Sequence, residues 1–118
     1  MKTQYFEIMR LALKLKKWNV PFDFFSLKEP FKGFHICYPN KENTVCSVIE
    51  YDYSYGHEDD LLEIKGLVSD KEQELNNDDV LGYLTADEVY RRIKTHYIRT
   101  KLDKKEKKND KRRIKRES

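Results

Sequence analysis

Hydrophobic positions recur every three to four residues at both ends of this chain and every second residue in its middle, which predicts helices flanking strands. Over residues 3–18, Phe6, Ile8, Met9, Leu11, Leu13, Leu15 and Trp18 form a broad apolar arc. Glu7, Arg10, Lys14 and Lys17 share one solvated stripe, so a helix is expected. Asn19 tolerates the left-handed conformation and can end it, and Pro21 prevents continuation. Phe22, Phe24 and Phe25, then Gly33, Phe34, His35, Ile36, Cys37 and Tyr38, read as two short strands joined by a turn containing Pro30. Residues 39–43 bunch Pro, Asn and charge, the chemistry of a hairpin loop, and residues 44–51 form the clearest strand.

Beyond Tyr51 the texture changes. Tyr51, Tyr53 and Tyr55 alternate with polar residues, and a strand continued to Gly56 would place all three on one face. Residues 61–67 fit a fourth strand or a short buried turn. The acidic stretch 69–79 reads as a surface loop or a frayed helix turn, and residues 80–84 as the lead into the last helix. That helix starts at a capping box, Thr85-Ala86-Asp87-Glu88, with Leu84 and Val89 as the hydrophobic staple. Val89, Ile93 and Tyr97 then make a narrow apolar stripe, and Arg91, Arg92, Lys94 and Arg99 leave the remaining surface basic. The expected architecture is α+β: a small antiparallel sheet of three to four strands, with an N-terminal and a C-terminal helix on one face. Residues 1–98 form the one domain. Residues 99–118 form a basic tail, a helical extension or disordered, because eleven Lys/Arg and four Asp/Glu leave too little apolar surface to fold alone.

Composition adds bounds. With 118 residues, the chain can bury one two-layer core but no roomy cleft between domains. Six Phe, eight Tyr and one Trp suit a small core of large side chains. No apolar run approaches the roughly 20 residues of a membrane span. The N-terminus lacks the apolar stretch and cleavage site of a secretory leader, and two cysteines fit a reducing cytosol, so a cytoplasmic protein is expected.

Charge changes the picture most. Residues 1–49 carry eight Lys/Arg and four Asp/Glu; residues 50–88 carry two and thirteen; residues 89–118 carry fourteen and four. The net charge of +3 therefore conceals blocks of +4, −11 and +10. Segregation of this size sets surface potentials that select macromolecular partners.

Candidate chemistry is sparse by comparison. His35, Cys37, Cys46 and His57 lack the CxxC or HxxxH spacing of a zinc site, and strand cysteines are usually small buried hydrophobes. Cys37 and Cys46 lie opposite one another only if the hairpin loop has the right length, because one residue more moves them to opposite faces. Glu58, Asp59, Asp60 and Glu63 resemble the carboxylate cluster of a metal-dependent nuclease, but without an accompanying Lys or separated strand-end carboxylates. Glycines 33, 56, 66 and 82 are too scattered for a phosphate loop. No catalytic residue, metal or cofactor is expected.

The basic tail carries the stronger signal. Arg91, Arg99, Lys101, Lys104, Lys105, Lys107, Lys108, Lys111, Arg112, Arg113, Lys115 and Arg116 are candidates for contact with RNA or DNA phosphates, where counterion release supplies salt-dependent affinity. The tail lacks the aromatics and amides that read bases, so this contact is expected to be sequence-nonspecific. A solubilising tail without a target is the simpler alternative. Tyr53, Tyr55, Glu58, Asp59 and Asp60 are a second candidate surface, because clustered carboxylates imitate the phosphates that a basic channel expects and tyrosines supply rigid contact area. Its simpler alternative is tyrosines in the core and acids that maintain solubility.

At Cys46-Ser47-Val48-Ile49, Ser54-Tyr55-Gly56, Leu61-Leu62-Glu63-Ile64-Lys65-Gly66-Leu67 and Gly82-Tyr83-Leu84-Thr85-Ala86-Asp87-Glu88-Val89, the chain resembles a family of small uncharacterised proteins from phages and prophages of Gram-positive bacteria. The likeness covers roughly residues 44–97; the long basic tail departs from the family's short C-terminus. It implies a phage accessory protein acting in the host cytoplasm and carries over no enzymatic residue. By analogy with other small phage proteins, the expectation is a non-enzymatic inhibitor of a bacterial defence nucleoprotein, most simply a CRISPR nuclease with its guide RNA. The alternative is a direct nucleic-acid-binding accessory of phage replication or gene control.

Overall fold

A computed structural model describes the backbone of residues 5–117 and the side chains of residues 5–107. In chain order the elements are α1 (Phe6–Lys17), β1 (Asp23–Ser26), β2 (Gly33–Tyr38), β3 (Cys46–Tyr51), a 3-10 turn (His57–Asp59), β4 (Leu62–Lys65), α2 (Asp70–Asn76), β5 (Val80–Leu84) and α3 (Ala86–Glu117). The strands form one antiparallel meander in the order β1-β2-β3-β4-β5. The α+β fold stands with five strands rather than three to four. The additional strand is β5, whose apolar run lacks the alternation that would mark a strand.

Of the two readings of residues 69–79 the helical one holds, and the expected tyrosine ladder is overturned, each for a local reason. Residues 69–79 contain a capped helix: the Ser69 hydroxyl accepts from the Glu72 amide at 3.2 Å, and the Ser69 amide donates to the Glu72 carboxylate at 2.9 Å. The tyrosine ladder does not form. Ser54 Oγ accepts from the Tyr51 amide at 3.0 Å and donates to the Tyr51 carbonyl at 2.9 Å, closing a turn that takes the chain out of the sheet. Gly82 lets that loop lie against β5, since a Cβ there would fall 2.3 Å from Tyr55 Cβ.

Strand alternation sets the core. Cys46, Val48 and Glu50 of β3 are buried towards the helices, with Ile36 and Tyr38 of β2 opposite Val48 and Cys46. Ile8, Leu11 and Leu15 of α1 and Val89 and Ile93 of α3 complete the cluster, each such aliphatic side chain stabilising the fold by ~1.5–3 kcal/mol. The apolar arc expected on α1 therefore divides. Phe6, Met9, Leu13 and Trp18 are exposed. Glu7 and Lys14, expected on the solvated stripe, turn to α3: Glu7 Oε2 accepts from the Ala86 amide at 2.5 Å, and Lys14 pairs with Asp87.

The parity of the sheet decides the direction of α3. Five antiparallel strands between two helices return the chain to the end where α1 began, so α1 and α3 run the same way. Glu7 meets Ala86, Trp18 meets Lys94 and Asn19 meets Tyr97. Since α3 has 32 residues against 12 in α1, it outruns the body, and the longest dimension is 66 Å against 32 and 23 Å across. A four-stranded meander would have sent it the other way.

Candidate functional site

The acidic block is divided between the two ends of the molecule. Residues 52–60 lie where both helices begin, and α2 lies at the opposite end of the sheet, where Glu72 meets Arg92 in the second turn of α3. At the first end Tyr53 and Tyr55 are 75% and 56% exposed, and Glu58 and Asp59 are exposed beside them. Asp60, grouped with them from sequence, faces inward: its Oδ1 accepts from the amides of Phe6 at 3.1 Å and Glu7 at 3.5 Å, capping α1. Glu63 is likewise engaged, accepting from the Tyr55 amide at 2.9 Å.

Behind this surface Glu50 is completely buried, although alternation with Cys46 and Val48 already puts it on the core face. Its Oε2 accepts from the Tyr5 amide at 3.3 Å and lies 3.7 Å from His57 Nδ1. Burial, followed by the adjoining Asp60 carboxyl, pushes Glu50 up to about 8, so it is protonated at neutral pH. Glu50 and Asp60 together hold the start of α1, and the neutral Glu50 takes one carboxylate out of the charge of the acidic block.

The opposite end is mixed: α2 and its C-terminal flank bring Asp70, Glu72, Glu74, Asp78 and Asp79 there, and α3 brings basic and aromatic side chains. Arg91 and Arg99 line a cleft of about 460 Å³ with Leu67, Val68 and His96. Arg92 is committed to structure: it forms two hydrogen bonds with Glu72 at 2.9 and 2.6 Å and donates to the Leu67 carbonyl at 2.9 Å, fastening α2 to α3. Lys101, Lys104, Lys105 and Lys107 are exposed. Lys108, Lys111, Arg112, Arg113, Lys115 and Arg116 occupy helical backbone, and their side chains lie outside the described residues. Described ion pairs tie α2 and its neighbours to Arg92 and Lys65 through Glu72 and Asp79. Lys101 to Lys107 do not fold back onto them.

On the other flank of α3 is a residue that the apolar arc concealed. Trp18, the chain's one tryptophan, closes the last turn of α1 and is 57% exposed. Lys17 and Lys94 place their ammonium groups 5.6 and 5.5 Å from its ring centre, and Lys101 places its own 4.7 Å from that of Tyr97. An open groove of about 440 Å³ adjoins them, lined by Lys16, Asn19, Val20, Pro21, Phe22 and Tyr97. The legible signal was position: an aromatic at a helix end, between Lys16-Lys17 and the Asn19 stop.

The thiols divide as the loop length dictates. Tyr38 pairs with Cys46 and Cys37 with Ser47, so Cys37 and Cys46 occupy opposite sheet faces. Burial pushes the Cys46 thiol up to about 12, which keeps it protonated and unreactive. On the outer face His35 Nε2 lies 2.5 Å from Ser47 Oγ and 3.6 Å from Cys37 Sγ. Burial, with Lys41 second, lowers the His35 pKa, so the ring stays neutral. Among the described residues no group of three His, Cys, Asp or Glu is arranged to hold a metal, and no helix is long and apolar enough to cross a membrane. No family model, curated protein or solved structure matches the chain.

Proposed function

We propose that this protein is a non-enzymatic binder of nucleoprotein, with α3 holding phosphates and the acidic, tyrosine-bearing end meeting a basic protein groove. The observation that carries this reading is the placement of opposite charges. The exposed lysines of α3 leave the body at the end remote from Tyr53, Tyr55, Glu58 and Asp59. The charge order of α3 supports it too. At 3.6 residues per turn, Asp103, Glu106, Asp110 and Glu117 fall within about 60° of the helix circumference. Lys101, Lys104, Lys105, Lys108, Lys111, Arg112 and Lys115 occupy positions on the other side, within about 120°, while Arg99, Lys107 and Arg113 fall on or beside the acidic arc. A helix of 32 residues extends ~48 Å, enough to follow several phosphates.

The finer form is a phage accessory protein that inhibits a bacterial defence nucleoprotein in the host cytoplasm, of the anti-CRISPR type that binds a Cas nuclease with its guide RNA. It draws on the sequence resemblance together with the two-signed surface. Cleavage by a guide-loaded CRISPR nuclease should fall when the protein is added. Glu58→Lys with Asp59→Lys should relieve that block, whereas Asp60 is left intact because it caps α1. Equal inhibition by the double variant, or none by the parent, would overturn this form. The exposed arm also favours direct, sequence-nonspecific nucleic-acid binding without any protein target. A mobility shift at low salt that disappears on truncation after Tyr97 is the expected result, and unchanged mobility with the full chain rejects it.

A further inference from the structure

We propose that Trp18, at the foot of the basic face of α3, is a stacking platform for an unpaired base, and that the ligand this end takes is single-stranded nucleic acid. The inference rests on the reading of α3 as a phosphate-binding element and adds a site and a preference for strand state. By helical position Lys94 and Lys101 belong to the face that carries Lys105, Lys108, Arg112 and Lys115, so the lysine touching Trp18 begins the basic track. An exposed indole flanked by two ammonium groups matches a nucleotide well. The base covers the ring, and the cations meet the flanking phosphates.

The neighbouring surface extends the match. Tyr97, anchored by its hydroxyl to the Asn19 carbonyl at 3.4 Å, carries Lys101 over its ring and forms a wall of the groove beside Pro21 and Phe22. A second base can rest there, with Lys16 at the rim. A duplex cannot stack on Trp18, because its bases are already stacked on one another and present only edges; it offers this surface its phosphates alone. Nothing here discriminates among bases, since every base has a stacking face.

Because Trp18 is the sole tryptophan, its fluorescence reports directly on stacking. The full chain is titrated at low salt with a dye-labelled oligothymidine and, separately, with a labelled duplex of equal length. Anisotropy follows binding, and Trp18 emission follows stacking. The single strand should quench Trp18 and bind more tightly than the duplex. Trp18→Ala should weaken single-strand binding by about tenfold and Trp18→Phe much less. Lys94→Gln, which keeps the indole, should weaken binding and lessen quenching. Trp18 is largely exposed, so these variants are expected to keep the parent's circular dichroism. Binding by anisotropy with unquenched Trp18 and an unaffected Trp18→Ala would overturn the platform and leave the phosphate-binding reading intact. Equal affinity and equal quenching by duplex would overturn the preference for single strands. Absence of any anisotropy change would overturn both.

Discussion

Replacing Glu50 by Gln tests the electrostatics of the fold at its most demanding point. Glu50 is wholly buried between the sheet and the start of α1, with Asp60, Glu7 and His57 around it and the Tyr5 amide as its donor. Its carboxyl moves from an ordinary 4.5 to about 8, burial being the largest cause and Asp60 the next. Below about pH 4.5 the folded and unfolded chains both hold the proton, and the contribution is complete. Between about 4.5 and 8 the unfolded chain ionises Glu50 while the folded chain does not, so stability falls as pH rises; above 8 the loss is finished. The gap of about 3.5 pH units, at roughly 1.36 kcal/mol each, sets a ceiling of ~5 kcal/mol. Sharing of charge with Asp60 brings the expected loss to ~2–4 kcal/mol. Glu50→Gln keeps the shape and removes the ionisation. Urea unfolding of parent and variant from pH 5 to 8.5 should show the stability difference moving in the variant's favour by that amount. His35, whose lowered pKa makes stability rise with pH below 6.5, contributes equally to both chains and cancels. A difference that stays flat across the window would refute the claim that Glu50 is buried in its neutral form.

Two further outcomes test the packing. Arg92→Ala should cost ~1–2 kcal/mol, since its pair with Glu72 is about one-quarter exposed and partly screened. Because Arg92 holds Glu72 down to about 2, the pair's stabilisation is complete above pH 4.5 and disappears as pH falls towards 2. Urea midpoints of parent and variant should therefore differ at pH 5 and converge towards pH 2.5, and a constant gap would contradict the assignment. Gly82→Ala forces Cβ into the Tyr55 loop and should cost ~1–3 kcal/mol, with faster amide exchange over residues 52–56. Unaltered exchange there would mean that the loop does not rest on β5.

Local chemistry made much of this molecule legible along the chain. Asn19 ends α1 with φ 56°, and the Thr85 hydroxyl accepts from the Glu88 amide at 3.2 Å at the start of α3. The alternation of β3 and the charge blocks were equally plain, because each depends on neighbours within a few residues. What sequence could not decide depends on counting and direction. A fifth strand reverses the course of α3 and sends its lysines away from residues 52–60, yet β5 carries no alternation to announce it. Likewise, an acidic block continuous in sequence divides between two ends, because the strands that carry it cross the sheet. Asp60 turns inward to cap a helix 53 residues earlier, and Trp18 turns outward from an apolar arc whose buried side was chosen by α3. Periodicity places residues on a face, but only the partner that packs there decides which face is covered.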